Sequence, residues 1–110
     1  ETNYPKAVEH FQRVLANSPT PLEASEALGR IGWILFANGE SAAAESAYLQ
    51  ALDALPGNGE AKWFYAILLV DSDRGSEAIP LLEELLSDES VPPEITSEIE
   101  RLLEEAKVSA

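Results

Sequence analysis

Residues 28–56 set out an order of large, small and terminating side chains that the chain then repeats. It reads Leu28, Ile31, Gly32 and Leu35, then Ala44 and Tyr48, and closes on Pro56. Adding 34 carries Gly32 to Ala66, Leu35 to Leu69, Ala44 to Ala78 and Tyr48 to Leu82. Subtracting 37 from Ala44, Tyr48, Ala51 and Pro56 lands on Ala7, Phe11, Val14 and Pro19. Self-similarity at such an interval marks stacked supersecondary units, none of which buries its apolar face alone. The expectation is therefore a scaffold and not a catalyst.

The punctuation between these positions divides the chain into six helices. Asn3 caps the first, with Pro5 in the opening turn where no intrahelical donor is needed. Ala7, Phe11, Val14 and Leu15 follow at helical spacing, and Asn17-Ser18-Pro19 ends the helix. Thr20-Pro21-Leu22-Glu23 starts the second, with Pro at the first position and Glu placed for a capping box. That helix carries Leu28, Ile31, Gly32 and Leu35 and stops at Asn38-Gly39, where glycine takes a left-handed conformation. The third spans about Ser41 to Leu55, the fourth Gly59 to Ser72 and the fifth Ser76 to Ser87. Pro80 deletes a hydrogen bond early in the fifth, so a local distortion is expected there. The sixth starts near Pro92-Pro93, with Ile95, Ile99, Leu102, Leu103 and Ala106 as its apolar stripe. No alternating run of strand length intervenes, so the domain reads as all-α with short-linked antiparallel neighbours.

The recurring small positions fit close helix crossings. Gly32 and Ala44 supply the small surfaces of one hairpin, Ala66 and Ala78 those of the next, and Tyr48 and Leu82 fill the space between successive hairpins. In this the chain resembles the tetratricopeptide repeat (TPR) family over about residues 3–90, most closely over 25–58. The resemblance implies an all-α, TPR-type α-α superhelix, a right-handed stack of antiparallel helix hairpins. About two and a half repeats and a C-terminal capping helix are expected in a single domain, 1–110. Its parts are 3–19 (the second helix of a truncated repeat), 21–58, the divergent 59–90, and the closing helix 92–107. Departures from the pattern are Lys62 where the family has a large apolar residue, and Asp73 where it has Gly. Three extra residues around Thr20 to Leu22 lengthen the second helix.

Composition excludes several classes. With 110 residues, 45% of them apolar, the chain can build a core despite a net charge of −13. That charge runs −1 over 1–24, −3 over 25–58, −6 over 59–90 and −3 over 91–110. Such a field repels nucleic acid and anionic membrane surfaces and favours a basic or apolar polypeptide partner. No apolar run approaches the roughly 18 residues of a membrane span, so this stretch is not expected to insert. Cysteine is absent, which removes disulfides, zinc thiolates and thiol chemistry. Met is absent and Glu1 comes first, so the expectation is a piece of a longer chain.

Catalytic and metal candidates fail one by one. His10 is the single histidine and has no Ser, Cys or Asp spaced for a triad, so a surface position is expected. Asp71-x-Asp73-x-Gly75-x-Glu77 lacks the Gly spacing of a calcium loop and has Leu82 where the twelfth ligand belongs. The carboxylates of the last helix are scattered over its solvated face, and no Gly-rich phosphate loop occurs. Neither an enzyme nor a cofactor is expected.

The family resemblance implies that the first helix of each hairpin lines a concave groove for a peptide or partner segment. The matching positions are Glu26, Gly29, Arg30, Trp33, Phe36 and Ala37, then Glu60, Trp63, Phe64, Ile67, Val70 and Asp71. Of these, Glu26, Arg30, Trp33, Phe36, Trp63, Phe64 and Ile67 are the partner-binding candidates. Aromatics beside a cation have the composition of interaction hot spots. The two tryptophans either face outward or pack between hairpins, and both readings stand. Ile67 and Val70 are expected buried and Arg30 solvent-facing. The truncated first repeat leaves the inner side of Ala7, Phe11 and Val14 needing a cover, from upstream sequence or from a second copy in a homodimer. Self-association or a spacer role is thus the alternative to partner binding.

A narrower resemblance concerns Lys62-Trp63-Phe64-Tyr65-Ala66-Ile67-Leu68-Leu69, Ala78-Ile79-Pro80-Leu81-Leu82-Glu83 and Val91-Pro92-Pro93-Glu94. These runs look like the soluble tail of bacterial c-type cytochrome biogenesis factors, which present apocytochrome. That implies a membrane anchor upstream and a place outside the cytoplasm; without it the cytoplasm is the expectation.

Overall fold

The computed structural model describes residues 4–109. Among them lie six α-helices and no strand: α1 (Tyr4–Ala16), α2 (Pro21–Ala37), α3 (Ser41–Ala54), α4 (Gly59–Asp71), α5 (Gly75–Ser87) and α6 (Pro93–Ser109). The connections are three to five residues long, as expected. The expected cap Asn3 lies outside the described residues. Two compact units divide the chain, 1–61 and 62–110.

In the first unit α2 packs on both α1 and α3. Its start is fixed by the expected capping box: Glu23 N–H donates to Thr20 Oγ1 at 3.1 Å, and Thr20 N–H donates to Glu23 Oε1 at 3.0 Å. Its end is a Schellman turn, with Glu40 N–H donating to Leu35 O and Gly39 N–H to Phe36 O. Gly39 adopts φ +81°, the conformation that glycine tolerates without a Cβ clash. The α2–α3 crossing is tight because Gly32 has no side chain. A Cβ there would stand 2.6 Å from the Tyr48 ring. Tyr48, expected between successive hairpins, therefore seats its ring on Gly32 within its own hairpin. Ala44, Ala47 and Ala51 are buried along the same helix.

A polar relay, absent from the sequence reading, ties the unit's loops to its core. Ser25 is fully buried, and its hydroxyl donates to Ala51 O at 2.6 Å. Asn58 Nδ2 donates to Ser25 Oγ at 2.8 Å, while Asn58 Oδ1 accepts from Ala61 N–H at 3.1 Å. Asn58 thereby caps the start of α4 and is itself held by α2. Burial of polar groups without such partners costs several kcal/mol, on the order of 2–7.

In the second unit the Lys62–Glu84 ion pair, at 3.2 Å, joins the beginning of α4 to the end of α5, the contact expected of antiparallel neighbours. The α4 terminus repeats the Schellman geometry 34 residues on from the first, with Arg74 N–H to Leu69 O and Asp73 N–H to Val70 O. Asp73 occupies the left-handed position at φ 60° where the earlier turn has Gly39. Helix α5 continues through Pro80 without a break. The helix starts one residue earlier than expected, and Pro80 and Ser76 are both exposed, so solvent replaces the missing bond. Helix α6 packs on α5 through buried Ile99, Leu103 and Ala106. The rest of its apolar stripe departs from expectation: Leu102 is half-buried and Ile95 exposed.

Candidate functional site

Helix α2 presents the first group of candidate residues. Glu26 and Arg30, one turn apart and both exposed, line a cleft of about 490 Å³. Its other walls are Glu23 and Ala27 of α2 and Phe11 and Val14 of α1. Arg30 faces solvent, as expected, and its Nε lies 3.4 Å from Glu60 Oε1. Both partners are about half exposed, so the pair orients the guanidinium more than it stabilises the fold. Farther along α2, Trp33 is 41% exposed and tilts against Phe36 with ring centroids 6.0 Å apart. Phe36 is half-buried and Ala37 exposed. Gly29 is buried yet has no heavy atom within 4 Å of where a Cβ would stand.

The second group belongs to α4. Trp63 and Ile67 are half-buried and line a smaller cleft, about 190 Å³, against Glu98, Arg101, Leu102 and Glu105 of α6. Phe64 is half-buried. Ile67 and Val70, expected buried, are only half-buried, because Ile67 borders the α6 cleft instead of closing a core. Asp71 is exposed. The candidates thus fall into two sets, one on each unit. The α6 side of the second cleft was not foreseen, because its charges read as a solvated face.

Tyr48 and Asp88 depart from their ordinary range. Burial, reinforced by the Glu60 charge, pushes the Tyr48 phenol well above the usual tyrosine range. The Ser90 hydroxyl and backbone N–H hold the Asp88 carboxyl below the usual carboxylate range, with a smaller contribution from Lys62. His10 is exposed and meets Phe11 edge-on at 5.2 Å. Among the described residues no group of His, Asp or Glu side chains is arranged to hold a metal ion. Among them, too, no helix is long and apolar enough to cross a membrane.

Two family profiles, both described as tetratricopeptide repeat, match the chain over residues 1–59 and 35–96. The chain belongs to the tetratricopeptide repeat family. No curated protein and no solved structure matches it significantly. Membership accounts for the residues that looked unusual. Gly32, Ala44 and Tyr48 are the tight crossing of a repeat hairpin, and Gly39 and Asp73 are its turn in successive copies. Repeats of this family mediate protein–protein interaction and are typically non-catalytic scaffolds. Both sets of candidate residues lie on α2 and α4, the first helices of two successive hairpins.

Proposed function

We propose that this chain is a non-catalytic scaffold of one repeat domain, 1–110, that holds a peptide or segment of a partner protein. Its parts are a half repeat over 3–19, repeats over 21–58 and 59–90, and a closing helix over 92–107. The observation that carries the reading is Trp33, 41% exposed beside Phe36 on the first helix of a repeat hairpin. A large aromatic left in water with an aromatic neighbour costs apolar exposure that binding recovers, and such side chains anchor interfaces. Glu26 and Arg30 precede that pair on α2, and Trp63, Phe64 and Ile67 form the corresponding set on α4. The chain's acidity selects a partner segment that is basic or apolar.

The test pans a displayed random-peptide library against the 110-residue chain and measures enriched peptides on variants. Trp33→Ala and Phe36→Ala should each weaken binding by about tenfold or more, a loss typical of interface anchors. The melting temperature should change little. Equal loss of affinity and stability would make these residues core and not site.

A role in c-type cytochrome assembly is a narrower form of the same reading, supported by the sequence resemblance alone. Titration with an apocytochrome C-terminal peptide decides it: binding no tighter than that of a scrambled peptide removes the role. Self-association is the competing reading, and the half-covered state of α1 favours it.

A further inference from the structure

Helix α1 packs on α2, yet none of its described side chains is fully buried. Ala7, Val8, Phe11, Val14 and Leu15 are all left half-covered, whereas α2, α3, α5 and α6 each bury several residues. Phe11 and Val14 face the cleft of about 490 Å³ whose opposite wall is Glu23, Glu26, Ala27 and Arg30. That wall carries surplus negative charge, because Arg30 is already engaged by Glu60. Glu26 has no ion-pair partner among the described residues.

An occupant of this cleft therefore needs an apolar stripe with a basic edge on a helix, the form that seats in a groove between two helices. The chain contains such a helix. On α1 the stripe Ala7, Phe11, Val14 is bordered by Lys6, His10 and Arg13, which recur at the same four- and three-residue spacing. Lys6, His10 and Arg13 are exposed. Arg13 reaches Glu9 only at 4.0 Å with both side chains mostly in water, so it is available to a better partner. Residues 1–24 hold only −1 of the −13 total, so this end is where two acidic chains approach with least repulsion.

We propose that two copies of this chain associate through α1, each α1 seating in the other copy's α1–α2 cleft. The contact is isologous. Phe11 and Val14 meet their counterparts, and the Lys6, His10 and Arg13 edge turns toward Glu23 and Glu26 of the second copy. The proposal develops the self-association reading and does not depend on the partner-segment one, since Trp33 lies outside the cleft.

Sedimentation equilibrium of the 110-residue chain, from low micromolar to near-millimolar concentration, tests it. A dimer is expected that weakens as salt rises. Glu26→Lys, on an exposed residue that the fold does not need, should weaken the dimer about tenfold, because the reversal acts at two symmetric places. Adding Arg13→Glu to that variant should restore most of the loss. Val14→Asp, with helix content checked by circular dichroism, should abolish the dimer. Trp33→Ala should leave the dimer intact while it weakens peptide capture, which separates this proposal from the preceding one. A monomer throughout would give the cleft to a segment of some other chain and overturn the proposal. A dimer indifferent to all of the α1 and Glu26 changes would overturn it equally.

Discussion

Adding one methyl group at Gly32 should cost more than any surface change in this chain. Gly32→Ala places a Cβ 2.6 Å from Tyr48 Cε1, 2.8 Å from Cδ1 and 3.0 Å from Cζ. Carbon atoms prefer about 3.5–4.0 Å, so three contacts become repulsive together. The ring cannot swing aside, because Tyr48 is fully buried. Overpacking of this kind costs roughly 1–3 kcal/mol, and a blocked ring belongs at the upper end, about 3. Alanine is better than glycine in a helix by about 1 kcal/mol, which leaves a net loss of about 2. The control lies three residues away on the same helix. At Gly29 a Cβ meets nothing within 4 Å, so Gly29→Ala should keep the propensity gain of about 1 kcal/mol. Urea unfolding followed by circular dichroism should separate the two variants by about 3 kcal/mol, and melting temperatures should move in opposite directions. In a Tyr48→Leu background the penalty at Gly32 should shrink, since the obstacle is gone. If Gly32→Ala proved as stable as Gly29→Ala, the close crossing of α2 and α3 would be wrong.

Four further outcomes follow from the same structure. Ser25→Ala removes a buried hydroxyl bonded to Ala51 O and Asn58 Nδ2, and should lower unfolding free energy by about 1–3 kcal/mol in urea titration. Asp73→Gly relieves a left-handed residue at φ 60° and should raise stability by about 0.5–1 kcal/mol, read as a higher melting temperature. Ala44→Trp forces bulk into a fully buried site and should cost at least ~1–3 kcal/mol, with unchanged melting refuting the placement. The raised Tyr48 pKa gives a pH dependence with a definite sign. Below about pH 10 both folded and unfolded phenols are protonated; above it only the unfolded one ionises. Stability should therefore fall by about 1.4 kcal/mol per pH unit above 10 relative to Tyr48→Phe, whose curve lacks this contribution.

What the sequence disclosed follows from which signals are local. The Thr20 capping box, the Gly39 turn and all six helices were readable because each depends on a few neighbouring residues. The turn position of Asp73 was readable from the family pattern, which has Gly there, although its left-handed backbone was not. Contacts across helices were harder. Tyr48 was expected between hairpins because its size alone gives no direction, and only the geometry shows its ring on Gly32. The Ser25 to Asn58 bond spans 33 residues between two ordinary polar side chains, so nothing local announced it. Among the site candidates, Trp33 was marked by its position on α2 and its neighbour Phe36. Ile67 looked like core because hydropathy does not say that its helix borders a cleft.

The Ser25 relay also bears on how this chain can be divided. A repeat drawn by sequence would end at Asn58, yet the amide that Asn58 accepts belongs to Ala61, inside the following helix. Cutting at residue 58 strips the side-chain oxygen of its donor while its amide nitrogen stays tethered to Ser25. A fragment carried through Ala61 keeps both ends of that tether, and so the natural place to sever this protein lies one helical turn beyond the place its own periodicity would choose.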